Sequence, residues 1–147
     1  MTETISRGAA NQAGARTDTD AYARAADFLP LNGIDHVEFW VGNARQAAAY
    51  YRALWGFTPV AFSGLETKVR DRASYVMVQN GIRFVFTAPL TPDGEIAEHL
   101  REHGDGVHDI AFAVADVESA WRETTTRGAT SAMEPTEIDG GEDGTLR

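Results

Sequence analysis

The sequence predicts an α+β fold made of paired β-α-β-β-β modules, the second of them incomplete. Three observations carry this. A strand with one wholly apolar face runs into a capped helix with an apolar stripe. An Asn-Gly pair then joins two further strands. Finally, the strand-and-helix pattern restarts at a constant offset of 73 residues.

Residues 1–27 are rich in Thr, Ala, Arg and Asp and have no apolar periodicity, the composition of a disordered leader. The folded part opens at Phe28-Leu29-Pro30-Leu31 and is expected to form one domain over 28–147, with module one at 33–90 and module two at 106–147. In Asp35 to Val41, the residues Val37, Phe39 and Val41 share one face, and His36, Glu38 and Trp40 the other. Asn43 is suited to cap a helix on which Ala44, Ala47, Ala48, Tyr51, Leu54 and Trp55 recur at helical spacing, and Gly56 closes it. Phe57 to Phe62 reads as a strand and Ser63 to Asp71 as a loop. Ala73 to Gln79 and Ile82 to Ala88 read as a hairpin about Asn80-Gly81.

The repeat then begins. Gly33 to Val41 can be laid on Gly106 to Val114, Asn43 on Asp116 and Gly56 on Gly128. Val117, Ala120, Trp121 and Thr124 form the second helical face. Two such units can pair their sheets into a curved, half-open barrel with the helices outside. The tail from Glu134 is acidic and Gly-rich, with turn signals at Asp139-Gly140-Gly141 and Asp143-Gly144.

Composition narrows the function classes. A formal net charge of -9 over 147 residues disfavours nucleic acid and acidic membrane surfaces as partners. The chain has no cysteine, which removes disulfides, thiolate metal sites and a Cys nucleophile. Met1 to Asp20 holds no apolar run of the kind a signal peptide needs, and no stretch approaches the ~18 apolar residues of a membrane helix. The cytoplasm is the expected location.

Paired β-α-β-β-β modules resemble the vicinal oxygen chelate superfamily of glyoxalases and extradiol dioxygenases. Several stretches narrow the resemblance to the 4-hydroxyphenylpyruvate dioxygenase family. They are Asp35-His36-Val37-Glu38-Phe39-Trp40-Val41-Gly42-Asn43-Ala44-Arg45-Gln46-Ala47-Ala48; Ser63-Gly64-Leu65-Glu66-Thr67 with Arg72 to Val78; His99-Leu100; His103-Gly104-Asp105-Gly106-Val107-His108-Asp109-Ile110-Ala111-Phe112; Arg127-Gly128-Ala129; and Glu134-Pro135. The resemblance implies an N-terminal, non-catalytic domain. The parent enzyme would convert 4-hydroxyphenylpyruvate and O2 to homogentisate and CO2 in tyrosine breakdown. Its Fe(II) would sit on two His and one Glu of a second domain, beyond this chain. By itself the chain is then expected to be inactive, with no catalytic, cofactor-binding or metal residue. The 4-hydroxymandelate synthases, which use the same substrate, and a stand-alone small-ligand-binding module are the alternatives. Pairing with a second copy by strand exchange stays open.

His36 lies where a superfamily ligand would sit, with Glu38 two residues on and Asp109 as its repeat equivalent. It is expected to be a hydrogen-bonded histidine in a vestigial cup, because module one's last strand offers no carboxylate. His108, one residue out of phase with Asp109, is expected to face the helix with Ile110 and Phe112. His99-Leu100-Arg101-Glu102-His103 matches the H-x-x-E-H pattern of inverted zinc proteases, yet the match is short and has no identifiable third ligand. Gly104-Asp105-Gly106 is too little for a phosphate loop and reads as a turn. Trp55 and Trp121 are expected in helix core faces, and Trp40 on the face of His36. Glu137, Asp139, Glu142 and Asp143 lack the spacing of a calcium loop.

Overall fold

The computed structural model describes residues 27–136, 138–139 and 145–146. Strand β1 (Leu31–Trp40) leads through helix α1 (Ala44–Trp55) to β2 (Thr58–Ser63), a short 3-10 helix (Leu65–Thr67), β3 (Arg72–Gln79) and β4 (Ile82–Pro89). Helix α2 (Glu95–His103) then leads to β5 (Gly106–Val114) and α3 (Val117–Thr126). Two short strands, β6 (Ile138–Asp139) and β7 (Thr145–Leu146), pair with each other. The main sheet has five strands in the order β2-β3-β4-β1-β5.

The local signals work as their chemistry dictates. The Asn43 side chain accepts the Gln46 N–H at 3.0 Å, and Gly56 closes α1 with a φ of 75°. Asp116 repeats the first device on α3, accepting from the Ser119 N–H at 3.0 Å. Asn80 takes a φ of 52° in the turn that lets Gln79 pair with Ile82. The sheet then closes back on its first strand. β4 runs parallel to β1, with Val37 to Trp40 opposite Phe84 to Thr87, and β5 takes β1's other edge antiparallel.

That register stacks Phe39, Phe84 and Phe86 under Tyr51 of α1. Phe86 and Met77 are almost fully buried, and Val41, Ala44, Ala48, Phe57 and Ala88 complete the cluster. The ring pairs sit at centroid distances such as 5.2 Å for Phe39 with Phe84 and 5.1 Å for Phe57 with Phe84.

Three expectations need adjustment. β1 begins at Leu31 rather than Asp35, because Leu31 and Ile34 pair with Val114 and Phe112 of β5. The predicted loop after Ser63 contains the 3-10 turn, whose Thr67 hydroxyl accepts the Gly64 N–H. Trp55 is not a core residue: it is 58% exposed and Leu54 is 69% exposed. The last turn of α1 is level with the end of β3, where Gln79 Nε2 donates to the Trp55 carbonyl, and Phe57 fills the core instead. Trp121 is half-buried, its indole N–H donating to Ser131 Oγ at 2.8 Å.

After α2 the described residues form β5, α3 and the β6–β7 pair. On β5, Ile110 and Phe112 stay half exposed. The guanidinium of Arg127 lies over the Phe28 ring at 3.7 Å, tying the entry segment to the end of α3. The expected leader up to Ala26, the turn signals at 140–144, and Glu137, Glu142 and Asp143 lie outside the described residues.

Phe86 joins the sheet to α1, so Phe86→Ala is expected to cost about 3–5 kcal/mol. A urea titration followed by far-UV circular dichroism checks this; a loss below about 1 kcal/mol would place the core elsewhere.

Candidate functional site

The face of β1 away from α1 carries the polar candidates. β4 adds Thr87 beside Trp40, and β3 adds Ser74 opposite Thr87. Thr87 is fully buried and donates to Glu38 Oε1 at 2.6 Å. A threonine has one hydroxyl proton. Ser74 Oγ, 2.8 Å from Thr87 Oγ1, is therefore the donor in that second bond. The result is a directed chain from Ser74 to Thr87 to the Glu38 carboxylate, crossing three strands.

His36 is held differently. Its Nδ1 donates to Asp35 Oδ2 at 2.8 Å, and Asp35 Oδ1 accepts from Arg83 at 2.8 Å. The hydrogen bond from His36, with the Arg83 guanidinium behind it, holds the Asp35 carboxyl below the ordinary value of 3.8. Asp109 lies directly across from Glu38, and His36 faces Ala111. Repeat equivalence therefore does not bring His36 and Asp109 together. Among the described residues no group of three His, Cys, Asp or Glu could hold a metal ion. The trio His36, Glu38 and Asp109 does not assemble.

His108 corrects a sequence expectation. Strict alternation would turn it toward the α1 face, but the pairing slips between Glu38–Asp109 and Phe39–Val107. That irregularity leaves His108 as an extra residue on β5, and a bulge re-aims such a side chain. Its ring stacks flat on Trp40, with centroids 3.4 Å apart and planes 10° from parallel. His99 of α2 meets the same indole edge-on at 5.1 Å, and His103 lies 4.9 Å from His99. Trp40, on the His36 face as expected, is thus buried under two imidazoles. The Gly104-Asp105-Gly106 turn also has a job: Asp105 Oδ1 accepts the Gly42 N–H at 2.8 Å, tying the exit of β1 to the entry of β5.

On the α1 side, a groove of about 480 Å³ is lined by residues including Phe39, Gln46, Tyr50, Tyr51 and Asp105. It does not touch His36 or Glu38. Sequence reading missed the Ser74–Thr87–Glu38 chain. Its available signal was a lone hydroxyl residue in the otherwise apolar run Phe84 to Pro89, in phase with Glu38.

Two outcomes follow. Thr87→Val keeps the shape but strips Glu38 of its donor, and is expected to destabilise by about 1–3 kcal/mol, with Thr87→Ser recovering most of it, as read from urea midpoints. Asp35, its folded-state pKa lowered from 3.8, contributes stability above that pH and loses it as pH falls through the folded value. The urea midpoint of Asp35→Asn should therefore lie slightly below the parent's at neutral pH and converge with it in acid.

Comparison with known proteins agrees with this architecture. Residues 35–146 match the Glyoxalase/Bleomycin resistance protein/Dioxygenase superfamily. A 4-hydroxyphenylpyruvate dioxygenase of Dictyostelium discoideum is 52% identical over 109 residues, covering 74% of this chain and 30% of that protein. One of Neurospora crassa is 38% identical over 147 residues, covering 88% of this chain and 36% of that protein. The chain thus spans about a third of the length of the curated relatives it matches. A solved structure of a mutant 4-hydroxymandelate synthase from Streptomyces coelicolor superposes with a TM-score of 0.72 at 31% identity, covering 80% of this chain and 34% of that one. With its β-α-β-β-β unit, its five-stranded mixed sheet and a superfamily match running from Asp35 to Leu146, the chain belongs to the glyoxalase, bleomycin resistance protein and dioxygenase superfamily.

Proposed function

We propose that the chain is the N-terminal, non-catalytic part of an Fe(II)-dependent 4-hydroxyphenylpyruvate dioxygenase. The parent enzyme converts 4-hydroxyphenylpyruvate and O2 to homogentisate and CO2 in tyrosine catabolism, in the cytoplasm. The observation that carries this is the 52% identity to a named 4-hydroxyphenylpyruvate dioxygenase over 109 residues. In this reading residues 28–147 form one domain, with modules at 33–90 and 106–147. The iron ligands lie outside the chain.

The side-chain geometry supports that division of labour. A non-haem Fe(II) centre needs two imidazoles and a carboxylate converging on one point, with positions left for substrate and O2. Glu38 is committed to Thr87 and His36 to Asp35, while Asp109 stands opposite Glu38 rather than His36. These residues do not fit an iron ion, and no chemical step runs through them. The domain's work is structural. The half-exposed apolar side chains of β5, Ile110 and Phe112, suit a surface that other parts of the protein, or a second subunit, would cover.

A second reading, a 4-hydroxymandelate synthase, is favoured by the similarity to that solved structure. Both readings predict that the purified 147-residue chain, given Fe(II) and 4-hydroxyphenylpyruvate, consumes no O2 in an oxygen-electrode assay. Uptake above the iron-only blank would contradict the non-catalytic assignment. Product analysis of the protein made from the extended reading frame separates the two. Homogentisate supports the dioxygenase, hydroxymandelate the synthase, and neither product overturns both.

A further inference from the structure

The imidazoles on α2 take no part in that reading. We propose that His99 and His103 form a two-histidine chelate for a divalent late transition cation such as Zn²⁺ or Ni²⁺, distinct from the His36 position and independent of the dioxygenase assignment. The two residues are one helical turn apart, so their side chains share a face of α2. Zn–N bonds of about 2.0–2.1 Å at a tetrahedral angle put the centroids of two ligand imidazoles roughly 5 Å apart. The His99 and His103 rings are 4.9 Å apart. The two rings therefore already stand at the separation of a chelating pair.

The surroundings favour this pair. His99 is fixed edge-on against the buried Trp40 indole at 5.1 Å, so one ligand is pre-positioned. The His103 side chain is 64% exposed and open to an arriving ion. Glu102 Oε2 lies 3.7 Å from His103 Nε2, and the chain's net charge of -9 favours a cation. His108 is not a third ligand. Its ring lies flat on Trp40, 6.0 Å from His99, in keeping with the absence of any three-residue metal group among the described residues. Water fills the remaining coordination positions. The bound ion would clamp the last turn of α2, the helix joining β4 to β5, and stabilise the fold in proportion to cation concentration.

The test is calorimetric titration of the 147-residue chain with ZnCl₂ and with NiCl₂, paired with thermal melts at rising cation concentration. The expected result is one cation per chain and a rising Tm. His103→Ala and His99→Gln should each weaken binding at least tenfold, and His36→Ala and His108→Ala should stay within twofold of the parent. His103 is solvent-facing, so His103→Ala should keep the parent's circular dichroism spectrum and remains informative if His99→Gln unfolds. No binding at all, or binding that survives His103→Ala unchanged, overturns the proposal, as does a loss confined to His36→Ala.

Discussion

Strand β1 has to satisfy two neighbours and two chemistries at once, and the rest of the structure depends on it. One edge pairs parallel with β4 and the other antiparallel with β5. Its α1 side supplies Phe39 to an aromatic cluster, and its opposite side supplies Glu38 and Trp40 to buried polar and imidazole partners. The period of two in a strand makes this possible, and also fragile. A slip of one residue would put Glu38 among phenylalanines and Phe39 beside Thr87. Buried on one side by rings and on the other by a committed hydrogen-bond chain, the register has no cheap alternative.

The same strand explains why the two copies of the repeat differ. The antiparallel pairing is interrupted twice between Leu31 and His36 and once after Glu38. The last interruption turns His108 onto Trp40. The first two bring Asp109 opposite Glu38, although the repeat aligns it with His36. A symmetric pair of modules would offer two equivalent ligand positions; here His36 and Asp109 are offset, and His36 and Glu38 are each engaged by a neighbour. A carboxylate that accepts from a buried hydroxyl and an imidazole held by an ionised aspartate have lost much of the freedom a metal centre would require.

Much of the fold was legible because its signals are local. Asn43, Asp116, Gly56 and Asn80-Gly81 each fix a backbone conformation within a few residues, and alternation in Asp35 to Val41 fixes two faces. The repeat located the strand at Gly106–Val114 and the helix that follows it. The site was less legible, because its features arise between distant segments. The Ser74–Thr87–Glu38 chain needs the β3–β4–β1 register, the His108 stack needs a bulge, and the Asp105 tie to Gly42 spans 63 residues. Trp55 misled for a related reason: helical spacing reports a face, not how far the sheet beneath extends.

Fold and similarity place the chain in the glyoxalase, bleomycin resistance protein and dioxygenase superfamily, and the role proposed for it is that of a supporting, non-catalytic domain. The central claim is that the catalytic residues are encoded elsewhere in the same protein. Sequencing the transcript past the codon for Arg147 tests it most directly. The expected result is an open frame that encodes closing strands and a further module pair carrying two histidines and one glutamate. A stop codon at that point in the native transcript would contradict it, leaving a stand-alone module whose chemistry would have to come from the residues described above.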